Sequence, residues 1–199
     1  MVPLLETIRI EDGVPQHLGW HQARMEDAFF KYFGRKGAPV VADLLEVPAA
    51  FRKGTVKCRF LYGSEGYTVD YSLYTPRTIR SLKLVNGDHL SYALKYADRR
   101  PLEQLLEQRG ECDEILIVRD GRITDTSYTN IVLYDGQGWV TPETPLLAGT
   151  CRARLLSEGR IVGAHIATAD LRKYQSFKLI NAMLPLDAQE PLPVEMIKG

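Results

Sequence analysis

A lysine amine becomes a nucleophile and a proton carrier when it is desolvated. Lys95 stands in the run Leu94-Lys95-Tyr96-Ala97-Asp98-Arg99-Arg100, near a predicted strand-to-helix junction. Taken alone it reads as a solvated lysine on a polar turn. What singles it out is the order of residues that follows. A predicted strand, Glu114-Ile115-Leu116-Ile117-Val118, turns at Gly121 and is followed by Thr124, Asp125 and Asn130. Ile131-Val132-Leu133 resumes a strand, and Thr141-Pro142 and Leu147-Ala148-Gly149-Thr150 lead into a helix. Upstream, Arg24 stands three residues after His21, on one face of a predicted helix. Each has a plainer reading. Arg24 reads as a surface arginine, Asp125 and Asn130 as turn residues, and Thr150 as a helix N-cap.

The elements that must position these residues follow from periodicity. Leu4 to Ile10 sets Leu5, Thr7 and Arg9 against Leu4, Glu6, Ile8 and Ile10, a strand turned by Glu11-Asp12-Gly13. Leu18 to Phe33 has helical spacing and ends at Gly34, and a shorter helix is predicted near Val41–Val47. Thr55–Tyr62 and Tyr67–Tyr74 form a predicted hairpin, and Arg77–Val85 one more strand. The Asn86-Gly87-Asp88 break divides the chain into lobes 1–86 and 87–199. Beyond it the pattern predicts a helix over Arg100–Gln108. It also predicts strands at Glu114–Arg119 and Arg122–Thr124, joined through Asp120-Gly121, and a hairpin of Asn130–Tyr134 with Trp139–Thr141. A helix from Gly149-Thr150 to Ser157, a short helix over Thr168–Tyr174 and a late strand Phe177–Leu184 complete a mixed α+β chain.

Composition narrows the partners. The 199 residues are 45% apolar and 25% charged, enough to bury a core without staples. Lys plus Arg balances Asp plus Glu at 25 each, so no basic excess marks a nucleic-acid binder. Cys58, Cys112 and Cys151 are odd in number, match no zinc spacing, and read as reduced, core-filling thiols of a cytoplasmic protein. The opening MVPLLETIRI has no signal-peptide character, and no window approaches a membrane span. A small molecule is the expected ligand, with a second copy of the chain as the expected partner, since near-neutral charge does not prevent self-association.

The ordered segments ETIRIEDG (6–13), HQARM (21–25), LKYADR (94–99), CDEILIV (112–118), GRITDTSYTNIVLYDG (121–136), TPETPLLAGTCRARLL (141–156) and KLINAMLPL (178–186) resemble the class IV aminotransferases. These are the fold-type IV pyridoxal-phosphate enzymes, which include D-amino-acid and branched-chain aminotransferases and 4-amino-4-deoxychorismate lyase. The resemblance spans nearly the whole chain. It implies a small α/β N-terminal lobe, a β-rich pseudo-barrel C-terminal lobe, and a homodimer. It also assigns roles: Lys95 bonds pyridoxal 5′-phosphate and moves protons at the substrate carbon, and Arg24 holds the phosphate as a fixed guanidinium. Gly149 and Thr150 offer helix N-terminal N–H groups to the same phosphate. Asp125 keeps the pyridine nitrogen protonated so that the ring remains an electron sink, and Asn130 is a further cofactor-binding residue. The family usually carries glutamate where this chain has Asp125, and the chain begins almost at the ETIR segment, short of residues that commonly precede it.

The late run Asn181-Ala182-Met183 resembles the Asn-Ala-Leu type of aminodeoxychorismate lyases more than the Thr-Gly-Thr type of the transaminases. The lyase reading, which releases pyruvate and leaves 4-aminobenzoate, therefore comes first. An amino-acid transaminase comes second, and a member that binds cofactor or a partner without turnover comes third. Arg59 and Tyr67 are weak candidates for contacting substrate carboxylates, and Asn181 for substrate binding.

Overall fold

A computed structural model describes residues 3–199. Met1 and Val2 of the opening run lie outside the described residues. Contacts divide the chain into two units. One comprises the described residues through Pro76 together with Leu94–Asp98; the other comprises Arg77–Ala93 and Arg99–Gly199. The expected boundary at 86/87 thus falls inside the second unit, and Lys95, expected in the C-terminal lobe, belongs to the first. The cause is backbone pairing rather than any local break, as described below.

In the first unit, β1 (Leu4–Glu11) and the short β2 (Val14–Pro15) precede helix α1 (Leu18–Phe33) and one turn of helix, α2 (Val41–Leu44). The hairpin β3 (Thr55–Gly63) and β4 (Gly66–Leu73) follows. The sheet is antiparallel in the order β2-β1-β3-β4. Alternation along β1 and β3 sends Leu4, Ile8, Ile10, Val56, Cys58, Phe60 and Tyr62 to one face, against Met25, Ala28 and Phe29 of α1. Those α1 residues recur at helical spacing, and the helix stops at Gly34, whose left-handed backbone lets its N–H reach the Phe30 carbonyl.

The second unit contains β5 (Leu82–Asn86), α3 (Arg100–Leu106), β6 (Glu114–Arg119), β7 (Arg122–Thr126), β8 (Asn130–Tyr134), β9 (Trp139–Pro142) and α4 (Thr150–Ser157). It ends with β10 (Val162–Ala164), β11 (Ser176–Ile180), β12 (Leu192–Pro193) and β13 (Ile197–Lys198). Strands run β10-β9-β8-β7-β6-β5-β13, and β11 pairs with β8 along its whole length. The β8 run is apolar on both faces because Ile131 and Leu133 enter a core shared with β5, β6, β7 and β11, while Val132 meets Cys151 and Leu155 of α4. Asp120-Gly121 takes positive φ at both residues, the two-residue turn that matches strand twist.

Three sequence expectations shift. Arg77–Ser81 is not laddered, so the predicted Arg77–Val85 strand shrinks to β5. The predicted Phe177–Leu184 strand ends at Ile180 and turns. Cys58 and Cys151 are buried thiols as expected, but Cys112 is half-exposed. No described helix is long and apolar enough to cross a membrane.

Candidate active site

In the first unit, β1 organises both basic candidates. Glu6 lies on the apolar face of β1 and is completely buried. It accepts Arg24 Nε at 2.9 Å on Oε1 and Arg24 Nη2 at 2.5 Å on Oε2, and His21 Nδ1 lies 2.6 Å from Oε2. Burial alone would raise the Glu6 carboxyl, but Arg24 and His21 outweigh it and hold the group at about 2. Arg24 is therefore not a surface arginine. Its side chain is 15% exposed and its guanidinium is oriented by a bidentate carboxylate. Sequence reasoning placed His21 and Arg24 on one helix face but missed Glu6. The available signal was a carboxylate alternating with Leu4, Ile8 and Ile10, a place that burial forbids unless cations accompany it.

Lys95 is fixed by the same strand. Leu5 N–H donates to the Lys95 carbonyl at 2.9 Å, Ala97 N–H donates to the Pro3 carbonyl, and Leu4 bridges Tyr96. The segment thus makes a single antiparallel bridge beside the start of β1, and Tyr96 N–H donates back to the Leu94 carbonyl at 3.0 Å, a tight turn at Lys95. Leu94 and Tyr96 pack in the first core, and Lys95 between them is half-buried. Leu5 and Glu6, adjacent on β1, thereby hold the Lys95 backbone and the Arg24 side chain. Arg59 and Tyr67 separate. Arg59 shares a face with Leu5 and Thr7, whereas Tyr67 stacks on Phe60 of the core face, centroids 5.3 Å apart. The two do not converge on one carboxylate.

The Glu6 cluster yields a pH prediction. Its folded-state carboxyl stands at about 2 against an ordinary 4.5. A depressed carboxyl contributes stability that is complete above the unfolded value and lost as pH falls through the folded one. At 1.36 kcal/mol per unit, the contribution is on the order of 3 kcal/mol. Glu6→Gln should be less stable than the parent by at least that scale at pH 7. The pH-dependent part of the gap should close between about 4.5 and 2, as read by urea midpoints across that range.

In the second unit, Asp125 and Asn130 are ladder partners flanking the β7–β8 turn. Asn130 Nδ2 donates to Asp125 Oδ1 at 2.8 Å and to the Leu147 carbonyl at 2.9 Å, and Leu147 N–H donates to Asp125 Oδ2 at 2.8 Å. Asp125 is 4% exposed, and burial pushes its carboxyl up to about 6 despite these bonds and the charge of Arg152. Among the described residues no cation comes within ion-pair distance of it. Register explains its aim: Val118 pairs Ile123 and Leu116 pairs Thr126, so Thr124 and Asp125 together oppose Ile117. That is a β-bulge, which re-aims the side chains it carries. The Thr124 hydroxyl satisfies the freed Ile117 carbonyl.

Gly149 caps α4, and its φ of −70° suits any residue. Glycine is required there by proximity instead, since a Cβ would lie 2.0 Å from Asn130 Oδ1. Thr150, the first residue of α4, is buried. Arg152, which sequence reasoning did not single out, is buried and donates to Thr141 Oγ1 and the Pro142 carbonyl. Asn181 has a different occupation from the one expected. Its Oδ1 accepts Met183 and Leu184 N–H groups, and its Nδ2 reaches the Tyr128 carbonyl at 3.3 Å. The Asn-Ala-Met run is a turn whose amide also anchors the β7–β8 turn.

These features define a class. The sequence profile of the amino-transferase class IV family matches residues 73–186, and the chain belongs to that family. Its fold is that of the fold-type IV aminotransferases. A crystal structure of a candidate 4-amino-4-deoxychorismate lyase from Haemophilus somnus 129PT is 38% identical, with a TM-score of 0.86, covering 94% of this chain and 98% of that one. A Haemophilus influenzae protein without an assigned function is 37% identical over 185 residues, 92% of this chain and 98% of its own. The PLP-bound form of a hypothetical aminotransferase from Mycobacterium tuberculosis shares the fold at 16% identity and a TM-score of 0.75, covering 99% of this chain and 81% of that one.

Proposed function

We propose that this chain is a pyridoxal-phosphate-dependent enzyme acting on an amine-bearing carboxylic acid, and that its reaction is the 4-amino-4-deoxychorismate lyase reaction. The observation that carries the cofactor assignment is Asp125. A buried carboxylate bonded by Asn130 Nδ2 and the Leu147 N–H keeps acceptor capacity, and it has no ion-pair partner among the described residues, Arg152 acting on it only from farther off. A protonated ring nitrogen supplies that partner. The donor set fits the rest of the cofactor as well: an oriented guanidinium at Arg24 and helix N-terminal N–H groups at Thr150 suit a phosphate, and the Lys95 amine suits an aldehyde. The likeness to the Haemophilus somnus protein, at 38% identity, favours the lyase.

Bound there, the cofactor would supply an electron sink for charge developing beside the substrate nitrogen. The chain's own residues do the rest. Lys95 would hold the aldehyde end of the cofactor and would carry the proton of the substrate carbon that bears the nitrogen. Asp125 keeps a proton at the ring nitrogen, and Arg24 and Thr150 fix the phosphate so that the reacting atoms stay oriented. Pyruvate leaves as the product ring becomes aromatic, which supplies much of the driving force.

A transaminase is the second reading, and Asn181 favours keeping it. The residue that separates the two chemistries spends its amide on two turns, so its identity says little about a substrate contact. Borohydride reduction of the protein incubated with pyridoxal phosphate, followed by peptide mapping, tests the cofactor: an adduct on Lys95 is expected, and no adduct, or one confined to other lysines, overturns the reading. With 4-amino-4-deoxychorismate, equal yields of pyruvate and 4-aminobenzoate are expected. A new oxo acid formed only from amino-acid donors would assign the transaminase instead.

A further inference from the structure

We propose that Glu114 is a positioning residue that, through Ser127, sets the aim of the Asp125–Asn130 pair. The inference rests on the reading of Asp125 as the group that meets the ring nitrogen. Glu114 opens β6 and is fully buried in a strand otherwise apolar at its start. A buried carboxylate costs stability unless hydrogen bonds compensate. Its Oε1 accepts Ile115 N–H at 2.8 Å and Ser127 N–H at 3.4 Å, and its Oε2 accepts the Ser127 hydroxyl at 3.0 Å. Two of the three bonds leave the strand for one residue of the β7–β8 turn.

That turn is where the site needs outside support. The bulge opposite Ile117 interrupts the β6–β7 ladder just before Asp125, so the ladder alone does not fix how the end of β7 is rotated. Inside the turn, Thr126 and Thr129 bond each other through hydroxyls and backbone. From outside, Glu114 takes Ser127 N–H and hydroxyl, Arg99 Nη2 donates to the Ser127 carbonyl at 2.9 Å, and Asn181 donates to the Tyr128 carbonyl. Three elements remote in sequence therefore hold Ser127 and Tyr128, the middle two of the four residues that join Asp125 to Asn130. Of the three grips, Glu114 is the one that takes a side chain and a backbone donor together. Burial raises the Glu114 carboxyl from its ordinary range, the cost of placing an acid where a turn needs two acceptors. Arg77, 5.5 Å over the Tyr128 ring, is the cation whose charge offsets part of that rise.

The test compares affinities rather than turnover. Dissociation constants are measured for pyridoxal phosphate and for its analogue with carbon in place of the ring nitrogen; their ratio reports the ring-nitrogen contact. Asp125→Asn should collapse the ratio. Glu114→Ala should reduce it about tenfold, the scale of one charge-assisted hydrogen bond lost. Glu114→Gln, whose Oε1 still accepts the Ile115 and Ser127 N–H groups and whose Nε2 donates to the Ser127 hydroxyl oxygen in place of Oε2, should hold it near the parent value. Ser127→Ala, which removes one of the bonds and serves if Glu114→Ala does not fold, should reduce it by a smaller factor. If Asp125→Asn lowers the ratio while Glu114→Ala and Ser127→Ala weaken both ligands equally or leave the ratio unchanged, the positioning role is overturned and the reading of Asp125 stands. If Asp125→Asn leaves the ratio unchanged, both fall together.

Discussion

Lys95→Ala should abolish turnover of any amine substrate by at least about 10³-fold, the range lost with a positioned proton carrier, while the protein stays folded. Both halves of that expectation follow from how the residue is held. The Lys95 carbonyl accepts the Leu5 N–H, and alanine keeps that bond. The side chains that pack the segment belong to Leu94 and Tyr96, which face the first core. Lys95 itself is half-buried and outside that core, so its truncation leaves the core packing in place. A cost under roughly 1 kcal/mol corresponds to a thermal midpoint lowered by no more than about 4 °C for a chain of this size. Lys95→Arg provides the sharper comparison. It keeps a positive charge but replaces the amine with a guanidinium that stays protonated and cannot bond the aldehyde. Turnover should be lost as completely as in the alanine variant. If Lys95→Arg retained activity within tenfold of the parent, the residue would be acting as a charge and not as an amine.

Much of this arrangement was legible in the sequence, and the failures share a cause. Helix α1 was bounded at both ends because its apolar spacing and Gly34 are local signals. The hairpins at Asp120-Gly121 and Gly63–Gly66 were found because turn residues announce them. Lys95 does sit in a tight turn, but the bonds that fix its segment run to residues 3–5, some ninety positions earlier, and pairing at that distance leaves no periodicity to read. The 86/87 boundary fails for the same reason: Asn86-Gly87-Asp88 is a good local turn, but β5 before it pairs with β6 and β13, and Tyr96 after it bridges Leu4. Strand β7 was predicted to stop at Thr124 because the bulge spoils alternation across Thr124, Asp125 and Thr126. That loss of pattern coincides with the residue on which the cofactor assignment depends. Glu6 is the exception, because its signal is local. A charge inside an alternating apolar set requires a buried counter-charge, and His21 and Arg24 were already on one helix face. Asn181 was read for its likeness to one reaction type, whereas its amide serves two turns that no sequence pattern displays.

Gly149→Ala should destabilise the protein by roughly 2–5 kcal/mol and weaken cofactor binding, although the backbone conformation at 149 accepts alanine without strain. The argument lies in what the new methyl group meets. Its Cβ would stand 2.0 Å from Asn130 Oδ1 and 3.1 Å from Cγ, so Asn130 must move or the start of α4 must retreat. A free asparagine would swing aside cheaply. This one is bonded through Nδ2 to Asp125 and to the Leu147 carbonyl, and rotating it breaks both. Asp125 would keep only the Leu147 N–H while remaining buried, which pushes its carboxyl further above about 6 and toward the neutral acid. If the helix retreats instead, Thr150 shifts with it and the N–H groups offered to the phosphate are displaced. Either response damages the proposed cofactor site, and the two can be told apart. Movement of Asn130 should lower the preference for pyridoxal phosphate over the analogue lacking the ring nitrogen. Retreat of α4 should instead lower the preference for pyridoxal phosphate over pyridoxal. Asn130→Ala removes the obstacle, so Gly149→Ala should cost far less stability in that background, a double-mutant coupling of at least about 1 kcal/mol. Additive losses in the two variants would mean that glycine is present at 149 for some reason other than room for Asn130.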